Sequence, residues 1–373
     1  KTTVLVERFA WLVSKGINPQ AILAITFTEK AAKEIKTRLV ERFKQDAERR
    51  RAVERATVCT IHAFCNGLLQ EHAVAAGIDP RFRVMDAREA GIALAAAMEA
   101  VLNRLALERR EEFRAWADVW PADDPAVALR SIHEALRMAG GAKQALRHLP
   151  EFHPEIELDA VAAAVREMLS QAPPAATDAQ RRRIDGGWAW LGGRDTVEPL
   201  AWLKQFSMDR RGLKPGHPIY DDLQRVKAMM EQAERCVVGA MFLSQRAMAV
   251  EALIEFEAEY TQAKRAASAL DFEDLQELTL ALLERDSEIR RHTSERFEAI
   301  LMDELQDTNP VQWRLLDLVR RPGRFFAVGD VNQSIFGFRY AAPEQFEACQ
   351  EAVAAAGGEI DRLQHNYRSR PEI

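Results

Sequence analysis

The sequence predicts a mixed α/β fold: a parallel sheet with helices on both faces, and a large all-helical domain inserted into it. Three observations carry this. Short apolar runs such as Ala299-Ile300-Leu301-Met302 read as buried strands. Helical patterns separate these runs, which is the order that builds a parallel sheet covered on both sides. From about Asp86 to Leu270 the strand signals stop and the chain is alanine-rich and nearly all helical.

Taken in order, Ala21–Thr28 is a buried-strand candidate that leads into a helical pattern over Glu29–Leu39, with Thr28 as its N-cap. Ala56–Ile61 is the next strand, followed by a helix from about Ala63. The helical middle is broken by Pro173-Pro174, by Gly186-Gly187 with Gly192-Gly193, and by Gly212 through Pro218. Five tryptophans between Trp116 and Trp202 read as core anchors. The basic runs Arg49–Arg51 and Arg181–Arg183 read as solvated faces. Arg324–Asp330 is a final strand ending in a turn.

The 373 residues exceed one ordinary core, and 47% apolar with 29% charged residues is an ordinary globular profile. A formal net charge of −6 does not exclude a nucleic-acid partner, because binding needs a local basic groove rather than a basic total. No signal-peptide pattern or membrane-spanning apolar run is recognised, and a cytoplasmic protein without membrane attachment is expected. Cys59, Cys65, Cys236 and Cys349 are spaced for neither a zinc ribbon nor a disulfide frame. The chain starts at Lys1-Thr2-Thr3, runs straight into Val4-Leu5-Val6 and ends at Pro371-Glu372-Ile373, which reads as a fragment of a longer protein.

The string Asp303-Glu304-Leu305-Gln306-Asp307-Thr308-Asn309 follows the strand Ala299–Met302. An acidic pair at such a strand tip suits phosphoryl transfer: Asp303 would hold magnesium through its water shell, and Glu304 would orient or deprotonate the attacking water. A second segment, Gly329 through Arg339, delivers a glycine turn, a polar amide, two aromatics and an arginine. Gln333 can hydrogen-bond a phosphate oxygen or the attacking water. Phe336 and Phe338 offer π-faces to the bases of a single strand, the other reading being that both are core.

With both segments in view, the chain resembles the UvrD/Rep-type branch of superfamily 1 DNA helicases, which includes the AddA and RecB subunits of recombination helicase–nucleases. Thr26-Phe27-Thr28-Glu29-Lys30-Ala31-Ala32, Thr60-Ile61-His62-Ala63-Phe64-Cys65, Leu270-Asp271-Phe272-Glu273-Asp274-Leu275 and His365-Asn366-Tyr367-Arg368-Ser369 match that family's motifs in its order. The resemblance covers residues 1–85 and 266–373. It implies a RecA-like P-loop ATP-binding domain formed by 1–85 and 266–365, a helical inserted domain at 86–265, and the start of a truncated second RecA-like domain at 366–373.

It also implies roles. Lys1 and Thr2 are similar to the end of a phosphate-binding loop, where lysine reaches the β- and γ-phosphates and the hydroxyl joins magnesium. Thr26, Phe27, His62 and Phe64 would lie along single-stranded DNA, with packing the other reading for Phe64. Arg368 would touch the γ-phosphate, Tyr367 would stack on adenine, and Gln333 would link phosphate state to the DNA-contacting aromatics. Arg339 would support the DNA groove or the nucleotide cleft. ATP and Mg2+ are the implied cofactors. The implied partners are single-stranded DNA, single/double-strand junctions and a helicase–nuclease partner subunit.

The implied activity is ATP-driven 3′-to-5′ translocation with duplex unwinding, in DNA repair or recombination. The glycines of the phosphate loop are missing, so the sequence as given should bind ATP poorly and be inactive by itself. Leu305 stands where phenylalanine is more usual and Tyr340 where glycine is common. A different class of reading is an ATPase-decayed DNA-binding scaffold within a helicase–nuclease complex, against which the intact Asp303, Glu304, Gln333 and Arg368 argue. A third is a helicase–nuclease component with a nuclease domain beyond Ile373.

Overall fold

The computed structural model describes residues 2–119, 124–148, 157–171, 178–206, 218–330, 343–355 and 357–361. Lys1, Gln333, Phe336, Phe338, Arg339, Tyr367 and Arg368 lie outside the described residues. The chain divides into two compact units, Lys1–Arg110 with Ala122–Arg147 and Ala252–Ile373, and Glu111–Pro121 with His148–Glu251.

The first unit is built on four parallel strands: β1 (Ile22–Thr26), β2 (Thr57–Thr60), β5 (Ala299–Met302) and β6 (Phe325–Ala327), in the order β2-β1-β5-β6. β1 is central. Leu23 pairs with Thr57 on one side and with Ile300 on the other, and Ile300 pairs in turn with Phe325. A separate parallel pair joins β3 (Arg83–Val84) to β4 (Ala269–Leu270).

Strand periodicity explains the layers. Successive side chains point to opposite faces. Ile22, Ala24, Ala299 and Leu301 pack with Leu5 and Phe9 of the helix Thr2–Ser14 and with Ile35 and Leu39 of the helix Glu29–Arg42. Leu23, Ile25, Ile300 and Met302 pack on the other face with Cys65 and Leu69 of the helix Ile61–Glu71, Leu283 of Phe272–Arg285 and Leu316 of Pro310–Val319. Both faces are covered, so β5 is apolar throughout, β1 is apolar up to Thr26, and both are buried along their whole length.

Polar residues at the strand ends start the helices that follow. Thr28 Oγ1 accepts from Ala31 N at 3.1 Å, and Thr60 Oγ1 accepts from Ala63 N at 3.2 Å. Asp271 and Asp274 form a reciprocal capping box, as do Asn309 and Gln312.

The second unit, among the described residues, is helical. Val161, Val165 and Met168 pack with Leu223, Val226 and the rings of Trp190 and Trp202. These two rings stack at 4.0 Å, and each indole N–H donates to the other residue's carbonyl, at 2.7 and 2.9 Å. Trp116, Trp190 and Trp202 are buried, whereas Trp188 is 44% exposed.

Two findings differ from the sequence reading. The helices Ala87–Glu108 and Pro125–Gly140, expected in the insertion, belong to the unit that holds the sheet. Arg137 explains the second of these, since its guanidinium is buried against Asp271, Asp274 and Glu277, at the start of the helix Phe272–Arg285. Ala87–Glu108 is also long and apolar enough to cross a membrane by length and composition, where no such run was expected. Its alanines raise its hydropathy; it buries Met98, Val101 and Leu105, but only 22% of its apolar stretch is buried.

Candidate nucleotide and DNA site

Parallel strands bring their C-terminal ends to one edge of the sheet. At that edge β1 ends in Thr26 and β5 is followed by Asp303, whose backbone N–H donates to the Ile25 carbonyl at 2.9 Å. The hydroxyl of Thr2, in the first turn of its helix, donates to Asp303 Oδ2 at 3.2 Å. Asp303 is 3% exposed, and burial, reinforced by the neighbouring Glu304 carboxylate, holds its carboxyl above the ordinary range. The Thr26 hydroxyl is buried and accepts no hydrogen bond among the described residues.

Glu304 sits in the left-handed region, at φ 54° and ψ 45°. For a residue with a side chain this costs on the order of 1–3 kcal/mol and persists only where the surroundings hold it. Its N–H donates to Asp303 Oδ1 at 3.2 Å, and its Oε2 accepts from Gln306 Nε2 at 2.8 Å. The same Gln306 amide donates to Asp307 Oδ2 at 3.2 Å, and Gln306 Oε1 accepts the Asp330 N–H at 2.9 Å.

A hydroxyl beside a buried carboxylate with a raised pKa is a donor set short of positive charge. Among the described residues no cluster of three or more His, Cys, Asp or Glu could hold a metal alone. One hydroxyl and one carboxylate oxygen suit Mg2+, which takes one or two protein oxygens and completes its shell with waters and substrate phosphates.

The residues expected along DNA divide. Phe27 is half-buried at the same sheet edge, just beyond Thr26. His62 Nε2 lies 2.8 Å from Gln276 Nε2, and its ring meets Phe272 edge-on at 5.6 Å. Phe64 turns the other way and packs into the core, edge-on to Phe297 at 6.1 Å. Phe272, which was not singled out as a DNA contact, is 44% exposed.

Phe272 follows Asp271, and Asp271 is gripped hard. Its carboxylate accepts from Arg137 Nη1 at 2.7 Å, Lys264 Nζ at 2.9 Å and Tyr260 Oη at 2.8 Å. Burial alone would raise it, but Arg137 and Lys264 outweigh this and hold it well below the usual carboxylate range. Asp274 accepts from the same two cations, at 2.8 and 2.6 Å, and Glu277 from Arg137 Nε at 2.8 Å.

A hydroxyl and two adjacent carboxylates thus gather at the C-terminal edge of a parallel sheet, where open α/β sheets bind their ligands. The chain belongs to the UvrD/REP helicase family: the UvrD/REP helicase N-terminal domain matches residues 1–354. It is similar to proteins named as the A subunit of an ATP-dependent helicase/nuclease. The identity is 27% with that of Syntrophomonas wolfei, and 28% with those of Exiguobacterium sibiricum and Pelotomaculum thermopropionicum. Each alignment covers 100% of this chain and 35%, 37% and 36%, respectively, of the relative. The chain thus spans about a third of the length of these relatives.

Proposed function

We propose that this chain is the ATP-binding first lobe of a DNA helicase of repair or recombination, acting within a helicase–nuclease assembly. The observation that carries this is the Thr2–Asp303 hydrogen bond beside Glu304, at the edge where the parallel strands end. Thr2 and Asp303 would hold Mg2+, which when bound neutralises charge on the β- and γ-phosphates. Glu304 orients and deprotonates the water that attacks the γ-phosphorus. Lys1, Gln333 and Arg368 are assigned to the phosphates, and Tyr367 and Arg339 to the nucleotide cleft.

The DNA side of the lobe runs past Thr26 and Phe27 to His62, and the exposed ring of Phe272 extends it. Phe336 and Phe338 are assigned to base stacking, which is tolerant of sequence because every base has a π-face. Phe64 supports this surface from within the core. Travel is 3′-to-5′ on single-stranded DNA. A nuclease domain and a partner subunit complete the working assembly.

The test is ATP hydrolysis by the complete protein with and without single-stranded DNA, and strand displacement from substrates with 3′ or 5′ tails. DNA-stimulated hydrolysis with displacement from the 3′ tail is expected. ATP hydrolysis that ignores DNA would sink the motor reading, and intact DNA binding without hydrolysis would favour the scaffold reading.

A further inference from the structure

The loop that follows β6 is zipped to the acidic string by three hydrogen bonds. Val328 N donates to Met302 O at 2.9 Å, Leu305 N donates to Val328 O at 3.1 Å, and Asp330 N donates to Gln306 Oε1 at 2.9 Å. The first two are ordinary sheet-like backbone pairs. The third depends on one side chain, placed where the chain leaves the sheet towards Gln333.

Gln306 is 2% exposed, and its amide is used at both ends. Oε1 takes the Asp330 N–H, while Nε2 donates to Glu304 and to Asp307. The contact is close enough to dictate its neighbour. A Cβ at Gly329 would stand 2.9 Å from Gln306 Oε1 and 2.7 Å from Phe346 Cε2, so only glycine lets the loop press onto the amide. A glutamine is the residue this place requires. One amide offers an acceptor to the loop and a donor to the carboxylate, which neither glutamate nor leucine can do.

We propose that Gln306 is a positioning residue for hydrolysis: it fixes the Glu304 carboxylate in its left-handed site and ties it to the loop that leads into Gln333. The inference rests on the assignment of Glu304 to the attacking water.

The test uses the complete protein with Gln306→Glu and Gln306→Leu, beside the wild type. Gln306→Glu keeps the acceptor for Asp330 but sets a third carboxylate against Glu304, which already has Asp303 and Asp307 beside it. Both substitutions remove the amide donor that holds the Glu304 carboxylate. At neutral pH, kcat with saturating single-stranded DNA should fall by about tenfold or more in both variants, while KM for ATP stays within about twofold.

A purely structural role would lower the melting temperature of both variants and change KM for ATP along with kcat. Unchanged kcat in both variants, or a fall in kcat matched by a changed KM and a lower melting temperature, with a wild type that hydrolyses ATP on DNA, overturns this inference alone. A wild type that does not hydrolyse ATP overturns the motor reading and this inference together.

Discussion

The hydroxyl of Thr2 donates to the carboxylate of Asp303 at 3.2 Å, although the two residues lie 301 apart in the sequence. The bond joins the first turn of a helix to the tip of a buried strand. It satisfies one oxygen of Asp303 but brings no charge to it. Burial and Glu304 raise the carboxyl above its reference value of 3.8. A carboxyl raised on folding is held protonated more strongly by the folded chain, so stability falls as pH climbs from about 3.8 through the raised value.

Asp303→Asn removes that ionisation. It is expected to raise the thermal midpoint of the metal-free protein at neutral pH, and to abolish the further rise that Mg2+ and ATP give the wild type. Thermal unfolding of the complete protein, wild type and variant, with and without MgATP checks this. A lower midpoint for the variant in the absence of metal would count against the account.

Glu304→Gln keeps the shape of the side chain and one oxygen that can accept from Gln306, but it cannot take a proton from water. In the complete protein, DNA-stimulated kcat should drop by about 10²-fold or more, the usual scale of general-base loss. Binding of ATP and of single-stranded DNA should stay within about twofold. Equilibrium binding measured beside steady-state turnover separates the two, and near-normal turnover would remove Glu304 from its assigned role.

The strands and their helices were legible because their signals are local. Ala299–Met302 is apolar at every position, and Thr28 caps the next helix three residues ahead. The acidic string was legible for the same reason. The place of the helix Pro125–Gly140 was not, because Arg137 finds Asp271 at a separation of 134 residues, which leaves no periodic trace. Spacing also hides Phe272, which the sequence did not single out. It lies three residues before Leu275 and seven before Thr279, both buried, which places it on the core stripe of its helix. It stands at the first position of that helix, and its ring is exposed although Asp271 before it is buried.

The cluster around Arg137 makes a pH prediction of its own. Burial pushes Glu277 up to about 7 from 4.5, despite its hydrogen bond from Arg137. Burial opposes the charge of Arg137 as well, but Glu277, Asp271 and Asp274 outweigh it and keep the guanidinium charged. Because the folded pKa of Glu277 is raised, its contribution is fully present below about pH 4.5 and is lost as pH rises through about 7. Glu277→Gln should therefore flatten the fall in stability between those values, worth up to about 3 kcal/mol. Arg137→Met should instead cost on the order of 3–5 kcal/mol at pH 7, because it leaves two carboxylates buried with Lys264 as their remaining cation. Denaturant titrations across pH 4 to 8 read both effects.

Phe64 and Phe272 come from different motifs, and the fold gives them opposite surroundings. Phe64 packs against Phe297 and the core, whereas Phe272 exposes its ring beside His62. Truncating a packed phenylalanine costs about 3–5 kcal/mol of stability when it is fully buried, and somewhat less at a half-buried position. Truncating an exposed one costs little stability but removes a stacking face worth about 1–3 kcal/mol per base. Phe64→Ala should therefore lower the melting temperature clearly, with a small change in affinity for single-stranded DNA. Phe272→Ala should melt near the wild type and bind single-stranded DNA about 5- to 100-fold more weakly, with KM for ATP unchanged. Fluorescence anisotropy with a labelled oligonucleotide and thermal unfolding distinguish the two variants. The reverse pattern would move the DNA-contacting role from Phe272 to Phe64.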